Sequence, residues 1–500
     1  MDVTTARVFP QELLDSFADS PHTVAFEHAG RRVTRGELLD LITRYAGGLR
    51  QAGLGAGSGL AVATAVTPEG FAALIAGHLL GCRVVGVRPG LSASQLPHVV
   101  GRDVDALVAD AASDTDALRA AAGATPRLAL ETLASEPEKP VAQGNPLDTA
   151  LVSFTSGSTA APKGAAFSYA ALSSHWAWQK TRWTEQAARL AEGYQRFLLF
   201  GTLTSAVMQE HMGLSLMAGG TAVIPDGLPV FPQVIEELRI TAALQTVPRL
   251  HHVLDTLDAS DVDISSLRKV IVAGSPLAPH RLAEAHRKLG TVVHHGYGQT
   301  ETGMLSVLTS AEVDERPERL SSVGRVCDNV ELEVRDGDGD VVAAGTTGEL
   351  WVRAATQLSG YWRNPAETAD LFDATGWVRT RDLGHVDADG YVYLTGRARD
   401  IIIVNAIIHY AGPIEQAIAS HPDVDQAYVV GAPDEHTGEA AHAFVVDRPG
   451  RRAPVAELRR RVAAALGEAA VPSTFTFVDA VPVAPSGKPD KKALLGLRHT

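Results

Sequence analysis

Cysteine is scarce in this chain: Cys82 and Cys327 are the two in 500 residues. Two thiols make neither a disulfide framework nor a four-thiolate zinc site, and the expectation is a reduced, cytoplasmic setting. Lysine is scarce as well, eight against 36 arginines, so each lysine inside a motif carries weight. Long apolar runs are missing. The most apolar window, 70–87, is broken by His78 and Arg83 and followed by Pro89, short of the roughly 20 lipid-compatible residues that a membrane span requires. The opening MDVTTARVFPQELLDSF lacks the basic start and apolar stretch of a signal peptide. Positive charge is in deficit, the net value being −14. That argues against a general nucleic-acid binder, which needs a basic face to displace counterions. It leaves room for one small anion in a locally basic pocket.

What is present is the composition of an ordinary globular protein, 45% apolar and 20% charged, which excludes disorder as the dominant state. At about 150 residues per domain the length suggests two to four domains. Residues 33–54 carry apolar positions at helical spacing behind Thr34, a plausible N-cap. Short apolar runs at 59–66, 82–89 and 151–155 read as buried strands, and Pro68 suits a helix start. This alternation implies parallel sheet covered by helices. After 320 the texture changes: 330–353 reads as a hairpin with DGDG as its turn, and a compact β/α unit fills the last hundred residues.

Four strings carry chemistry. TSGSTAAPKG, 155–164, follows a strand. Its glycine lets backbone amides approach an anion, its hydroxyls add donors and Lys163 adds charge, the elements of a phosphate cradle. It is not a Walker loop, because GxxxxGK[ST] is absent. GYGQTETG, 296–303, offers an aromatic ring, a hydroxyl and a carboxylate of the kind that suits Mg²⁺. GWVRTRDLGHVDADGYVYLTGRARD, 376–400, contains an aspartate whose two oxygens can accept a pair of hydroxyls. PSGKPDKKAL, 485–494, is a lysine-rich segment near the end.

Together these strings resemble the adenylate-forming superfamily of acyl- and aryl-CoA synthetases, peptide-synthetase adenylation domains and luciferases, over essentially the whole chain. The resemblance implies an α/β fold: a large N-terminal domain of parallel and mixed sheets with helices and a β-barrel-like subdomain, residues 1–396. A hinge at 397–400 and a small mobile α+β C-terminal domain, 401–500, would follow. It implies that Thr155, Ser156, Gly157, Ser158, Thr159 and Lys163 hold phosphate. Tyr297 would stack on adenine, with Gly274 and Ser275 of VAGSPLAP beside it. Thr300 would meet the α-phosphate and Glu301 would hold Mg²⁺. Asp382 would bind the ribose hydroxyls, Arg397 the ribose and phosphates, and Asp400 would serve as the pivot. Lys488 would be the catalytic lysine, delivered on a closing domain to neutralise charge on the pentavalent phosphorus. His295 would line the nucleotide or acyl pocket. The adjacent pairs His251–His252 and His294–His295 are poor metal sites, since neighbouring side chains on a strand diverge.

Three positions depart from the pattern. Ala160 and Arg381 stand where glycine is usual, and Ala406 stands at the glycine of the post-hinge loop VNAIIHYAGPIEQ. No aspartate for an α-amine occurs at Thr204–Ala206, which argues against an amino-acid substrate. Gln209, Glu210 and His211 either serve a polar group on the substrate or cap a helix. The expected function is an ATP- and Mg²⁺-dependent ligase that adenylates an organic acid, aryl or acyl, and passes it to an acceptor. CoA is the first acceptor. Delivery to nitrogen, as an amide ligase or a nitrite-activating diazotase, is the alternative, because Ala406, Ile407 and Ile408 would crowd a pantetheine arm. A carrier protein on another chain is a further acceptor, and a degenerate nucleotide-binding subunit the remaining reading.

Overall fold

The structure, a computed structural model, describes residues 7–101, 103–155, 162–398, 400–404, 407–434, 436–484 and 489–499. Ser156, Gly157, Ser158, Thr159, Ala160, Ala406 and Lys488 lie outside them.

Local signals start the helices where the sequence places them. Thr34 accepts from the Glu37 amide while Glu37 Oε2 accepts from the Thr34 amide at 2.7 Å, a capping box opening the helix Arg35–Gln51. Pro68 occupies the first turn of Pro68–Leu79, capped by Thr67. These helices cover two mostly parallel sheets. A seven-stranded sheet centres on Gly59–Ala63, Arg83–Gly86 and Thr149–Thr155, with Lys163–Ser168 antiparallel to the last of these. A nine-stranded sheet includes Ala242–Gln245, Lys269–Val272 and Val293–Gln299 in parallel, then Gly303–Thr309 antiparallel. Apolar side chains from both sheets and their helices merge into a continuous core.

Beyond residue 329 the backbone turns antiparallel. Val330–Arg335, Gly348–Ala354, Val378–Val386 and Val392–Arg397 form a four-stranded sheet. Its outer strands have one partner each within the sheet, so the barrel-like part expected here is an open sheet. The DGDG segment does close a tight turn, Asp336 and Asp340 bonding through their backbones. The return strand nevertheless begins only at Gly348. A final sheet is built from Ile401–Val404, Ile407–Tyr410, Val424–Asp434, Gly438–Asp447 and Thr474–Phe477, against which Ala411–Ala419 and Val455–Leu466 pack a separate core.

A buried ion pair joins this last sheet to the body. Arg281, on the helix Pro279–Leu289, donates from Nε and Nη2 to the two oxygens of Asp425 at 2.7 and 2.9 Å. His280 Nε2 meets the same carboxylate at 3.0 Å, and Gln426 reaches His251. Despite burial, which raises it, the hydrogen bonds from His280 and Arg281 hold the Asp425 carboxyl well below the usual range. Removing one member of such a pair costs about 3–5 kcal/mol, because the other charge stays buried. Asp425→Ala should therefore loosen the contact, read as faster limited proteolysis around 397–400. Unchanged cleavage would mean that the pair does not hold the two parts together.

Candidate active site

The strand Val293–Gln299 carries His295, Tyr297 and Gln299 at alternate positions, hence on one face. Asp382 comes from Val378–Val386, where register pairs it with Arg397 on the neighbouring strand. Asp382 is 4% exposed, and its carboxylate accepts from three side chains. Oδ2 accepts from Tyr297 Oη at 2.7 Å and Gln299 Nε2 at 2.6 Å, and Oδ1 accepts from Arg397 Nε at 3.0 Å. Gln299 also donates to the Thr380 carbonyl. Burial, with the Asp382 charge beside it, pushes the Tyr297 phenol well up, so it remains a donor. The result is a carboxylate set in orientation by three donors.

Gln299 was not among the residues singled out from the sequence. Its signal was there, a donor two positions from Tyr297 in the same string. Tyr297, expected as an adenine platform, has its ring largely buried and its hydroxyl on Asp382.

Thr300 and Glu301 sit in the turn between Val293–Gln299 and Gly303–Thr309. Glu301 Oε1 accepts from Tyr361 Oη at 2.8 Å, and its carbonyl accepts from the Leu358 amide. Burial and the Glu301 charge raise the Tyr361 phenol. Tyr361 belongs to a two-residue strand bonded to Lys163–Ser168, and Lys163 Nζ stands 5.6 Å from its ring centre while reaching Glu367 at 2.7 Å. Register places Thr155 opposite Lys163. The described ends of the first string and the second string thus meet through Tyr361, which the sequence did not reveal.

Gly274 follows Lys269–Val272, and its φ of +97° is a left-handed conformation that glycine adopts freely. It and Ser275 lie at the carboxyl end of a strand parallel to the one bearing Tyr297, the edge where open α/β sheets bind ligands. His295 is buried with Nδ1 unpartnered, and burial lowers its imidazole to about 4. Arg381 keeps a φ of +62° where the resemblance expects glycine, its guanidinium bonded to Asp370. Asp400 Oδ2 accepts from Lys491 Nζ at 2.9 Å, and Lys491 also reaches Glu415 at 2.9 Å. Lys491 therefore ties the tail to Asp400 and Glu415 rather than dangling in solvent.

A family model described as AMP-binding enzyme matches residues 13–362, and one described as its C-terminal domain matches 413–488. The chain belongs to the AMP-binding enzyme family. Among curated relatives, this AMP-binding enzyme is 30% identical to the medium/long-chain-fatty-acid–CoA ligase FadD8 of Mycobacterium tuberculosis over 93% of this chain and 85% of that one. It is 29% identical to a feruloyl-CoA synthase from Amycolatopsis over 94% of each. Among solved structures, it superposes on the amide bond synthetase McbA from Marinactinospora thermotolerans with a TM-score of 0.85 and 32% identity, over 98% of this chain and 99% of that one. ATP-bound MatB from Rhodopseudomonas palustris gives 0.83 and 25%, over 97% and 98%. The protein is accordingly an ATP-dependent, AMP-forming ligase of the adenylate-forming superfamily. No helix among the described residues is long and apolar enough to cross a membrane.

The site fits a nucleotide carrying Mg²⁺. No cluster of three metal-ligating side chains occurs among the described residues. Mg²⁺ needs none, since it is commonly held by one or two carboxylates together with substrate phosphates and water. Glu301 would be the protein ligand. Glu301→Gln should weaken Mg²⁺-dependent adenylation while the melting temperature stays near the parent value, because the amide retains an oxygen for Tyr361. An unchanged Mg²⁺ titration would remove Glu301 from the metal.

Proposed function

We propose that this ligase activates an organic acid, aryl or acyl, as its acyl-AMP and transfers it to CoA, on a site made of the residues above. The observation that carries the nucleotide assignment is Asp382. A buried carboxylate oriented by Tyr297, Gln299 and Arg397 is poised to accept two hydroxyls, as a ribose would present them. The acid carboxylate attacks the α-phosphorus of ATP, the bond to the β-phosphate oxygen breaks, and pyrophosphate leaves. Thr300 and the Lys163 loop hold the phosphates. Lys488, brought in with residues 401–500 turning about Asp400, neutralises charge on the phosphorus. In the second half-reaction the acceptor attacks the mixed anhydride and AMP leaves. CoA stands first as acceptor because relatives spanning nearly the whole chain are named as CoA ligases.

A nitrogen acceptor is the second reading, and two observations favour it. Ile407 and Ile408, on the strand after the hinge, are 52% and 55% exposed, bulky apolar groups where a pantetheine arm would need close backbone approach. The structural neighbour with 32% identity is named as an amide bond synthetase. The experiment incubates the enzyme with ATP, a free acid that supports pyrophosphate release and either CoA or an amine, and follows AMP release with product mass. A CoA thioester formed at the rate of AMP release supports the first reading. AMP release that ignores CoA and rises with amine, yielding an amide, replaces it with the second.

A further inference from the structure

A short segment, residues 358–368, stands between Glu301 and Lys163 and bonds to both sides. On one side the Leu358 amide donates to the Glu301 carbonyl at 2.9 Å. On the other side the segment pairs with the strand Lys163–Ser168. The Ser359 and Trp362 amides donate to the carbonyls of Ala166 and Gly164, each at 2.7 Å, and register sets Tyr361 opposite Ala165. Glu367 then meets Lys163 Nζ at 2.7 Å. Bonds to both neighbours leave this stretch little freedom. Its side chains therefore hold set positions relative to Glu301 and Lys163 alike.

Tyr361 uses this placement. It is buried, its amide donates to Thr368 Oγ1 at 2.9 Å, and that hydroxyl donates in turn to the Asn364 carbonyl at 2.8 Å. From this anchored backbone the Tyr361 hydroxyl reaches Glu301 Oε1 at 2.8 Å. Burial, with the Glu301 charge beside it, raises the phenol, so the hydroxyl stays protonated and donates. The other oxygen, Oε2, meets no donor among the described residues and is not enclosed. One oxygen is fixed and one is open, which suits a carboxylate that must meet a hard cation. A glutamate otherwise turns about its side-chain bonds, and fixing it in advance removes that entropy cost from binding.

We propose that Tyr361 is a positioning residue for the nucleotide's Mg²⁺: its hydroxyl fixes the Glu301 carboxylate and leaves Oε2 free for the metal. This rests on the adenylation reading above, with Glu301 as the metal ligand, and adds the residue that orients that ligand. The same segment holds Glu367 against Lys163, so one stretch of chain sets the metal ligand and the phosphate lysine relative to each other. Hydrogen-bonding partners behind a metal ligand commonly contribute about ten- to a hundredfold to metal affinity.

The test measures ATP binding by calorimetry with no acid present, once with saturating Mg²⁺ and once with a chelator. The readout is the gain in affinity that Mg²⁺ brings. Tyr361→Phe removes the hydroxyl and keeps the ring. It should cut that gain about tenfold, while affinity in chelator and the melting temperature stay at parent values. Glu301→Ala should abolish the gain. Adding Tyr361→Phe to it should change nothing further, because the hydroxyl acts through that carboxylate. A Tyr361→Phe variant with the full parental gain overturns the proposal. So does one whose affinity falls equally with and without Mg²⁺, the mark of a structural role, or a double variant weaker than Glu301→Ala. A parent that gains nothing from Mg²⁺ overturns the metal assignment of Glu301, and the proposal with it. A parent that binds no ATP in either condition overturns the adenylation reading itself.

Discussion

Asp382→Ala is expected to raise the ATP concentration needed for half-maximal adenylation by two to four orders of magnitude. Each hydrogen bond to a charged group contributes about 1.5–3 kcal/mol, and two ribose hydroxyls would lose their acceptor, about 3–6 kcal/mol together. The variant also strands the Tyr297 hydroxyl, the Gln299 amide and the Arg397 guanidinium, which now converge on this carboxylate. Asp382→Asn separates the two effects: it keeps the shape and one acceptor oxygen, so it should fold like the parent and still show a raised ATP requirement. If ATP titrates both variants like the parent enzyme, the nucleotide binds elsewhere.

Lys488→Ala is expected to lower overall turnover by about 10²–10³, the usual loss when one preorganised charge stabiliser is removed from a transition state. The informative part is the asymmetry. Transfer from a supplied acyl-adenylate should largely survive, because Lys488 is assigned to the first half-reaction alone. Equal loss in both half-reactions would assign the lysine to holding the C-terminal part together. The neighbouring Lys491 makes the contrast sharp: it bonds Asp400 and Glu415, so Lys491→Ala should loosen that contact and lower both half-reactions together.

What could be read from the sequence was what is local. The capping box of Thr34 and Glu37 needs three residues' separation. The apolar runs 59–66 and 82–89 contain the strands Gly59–Ala63 and Arg83–Gly86, shorter than the runs themselves. The motif strings identified the family because each is compact along the chain. What could not be read was what the fold brings together. Tyr361 meets Glu301 across 60 residues, Tyr297 meets Asp382 across 85, and Arg281 meets Asp425 across 144. None of these pairs has a spacing that periodicity could reveal. Arg381 shows the opposite case: arginine replaces the expected glycine, yet the backbone keeps a φ of +62° and the adjoining Asp382 keeps its partners. Glu210 could be noticed in the sequence but not placed: it is buried in the middle of the helix Ala206–Met217 rather than capping it.

The central claim, that this site joins an acid to AMP, is tested most directly by exchange of labelled pyrophosphate into ATP with no acceptor present. The reaction run backwards needs the nucleotide, Mg²⁺ and the acid, and nothing else. Label should enter ATP only when an accepted acid is present, should require Mg²⁺, and should fall steeply in Asp382→Ala and Lys488→Ala. Label entering ATP without any acid, or at the parent rate in both variants, would contradict the account.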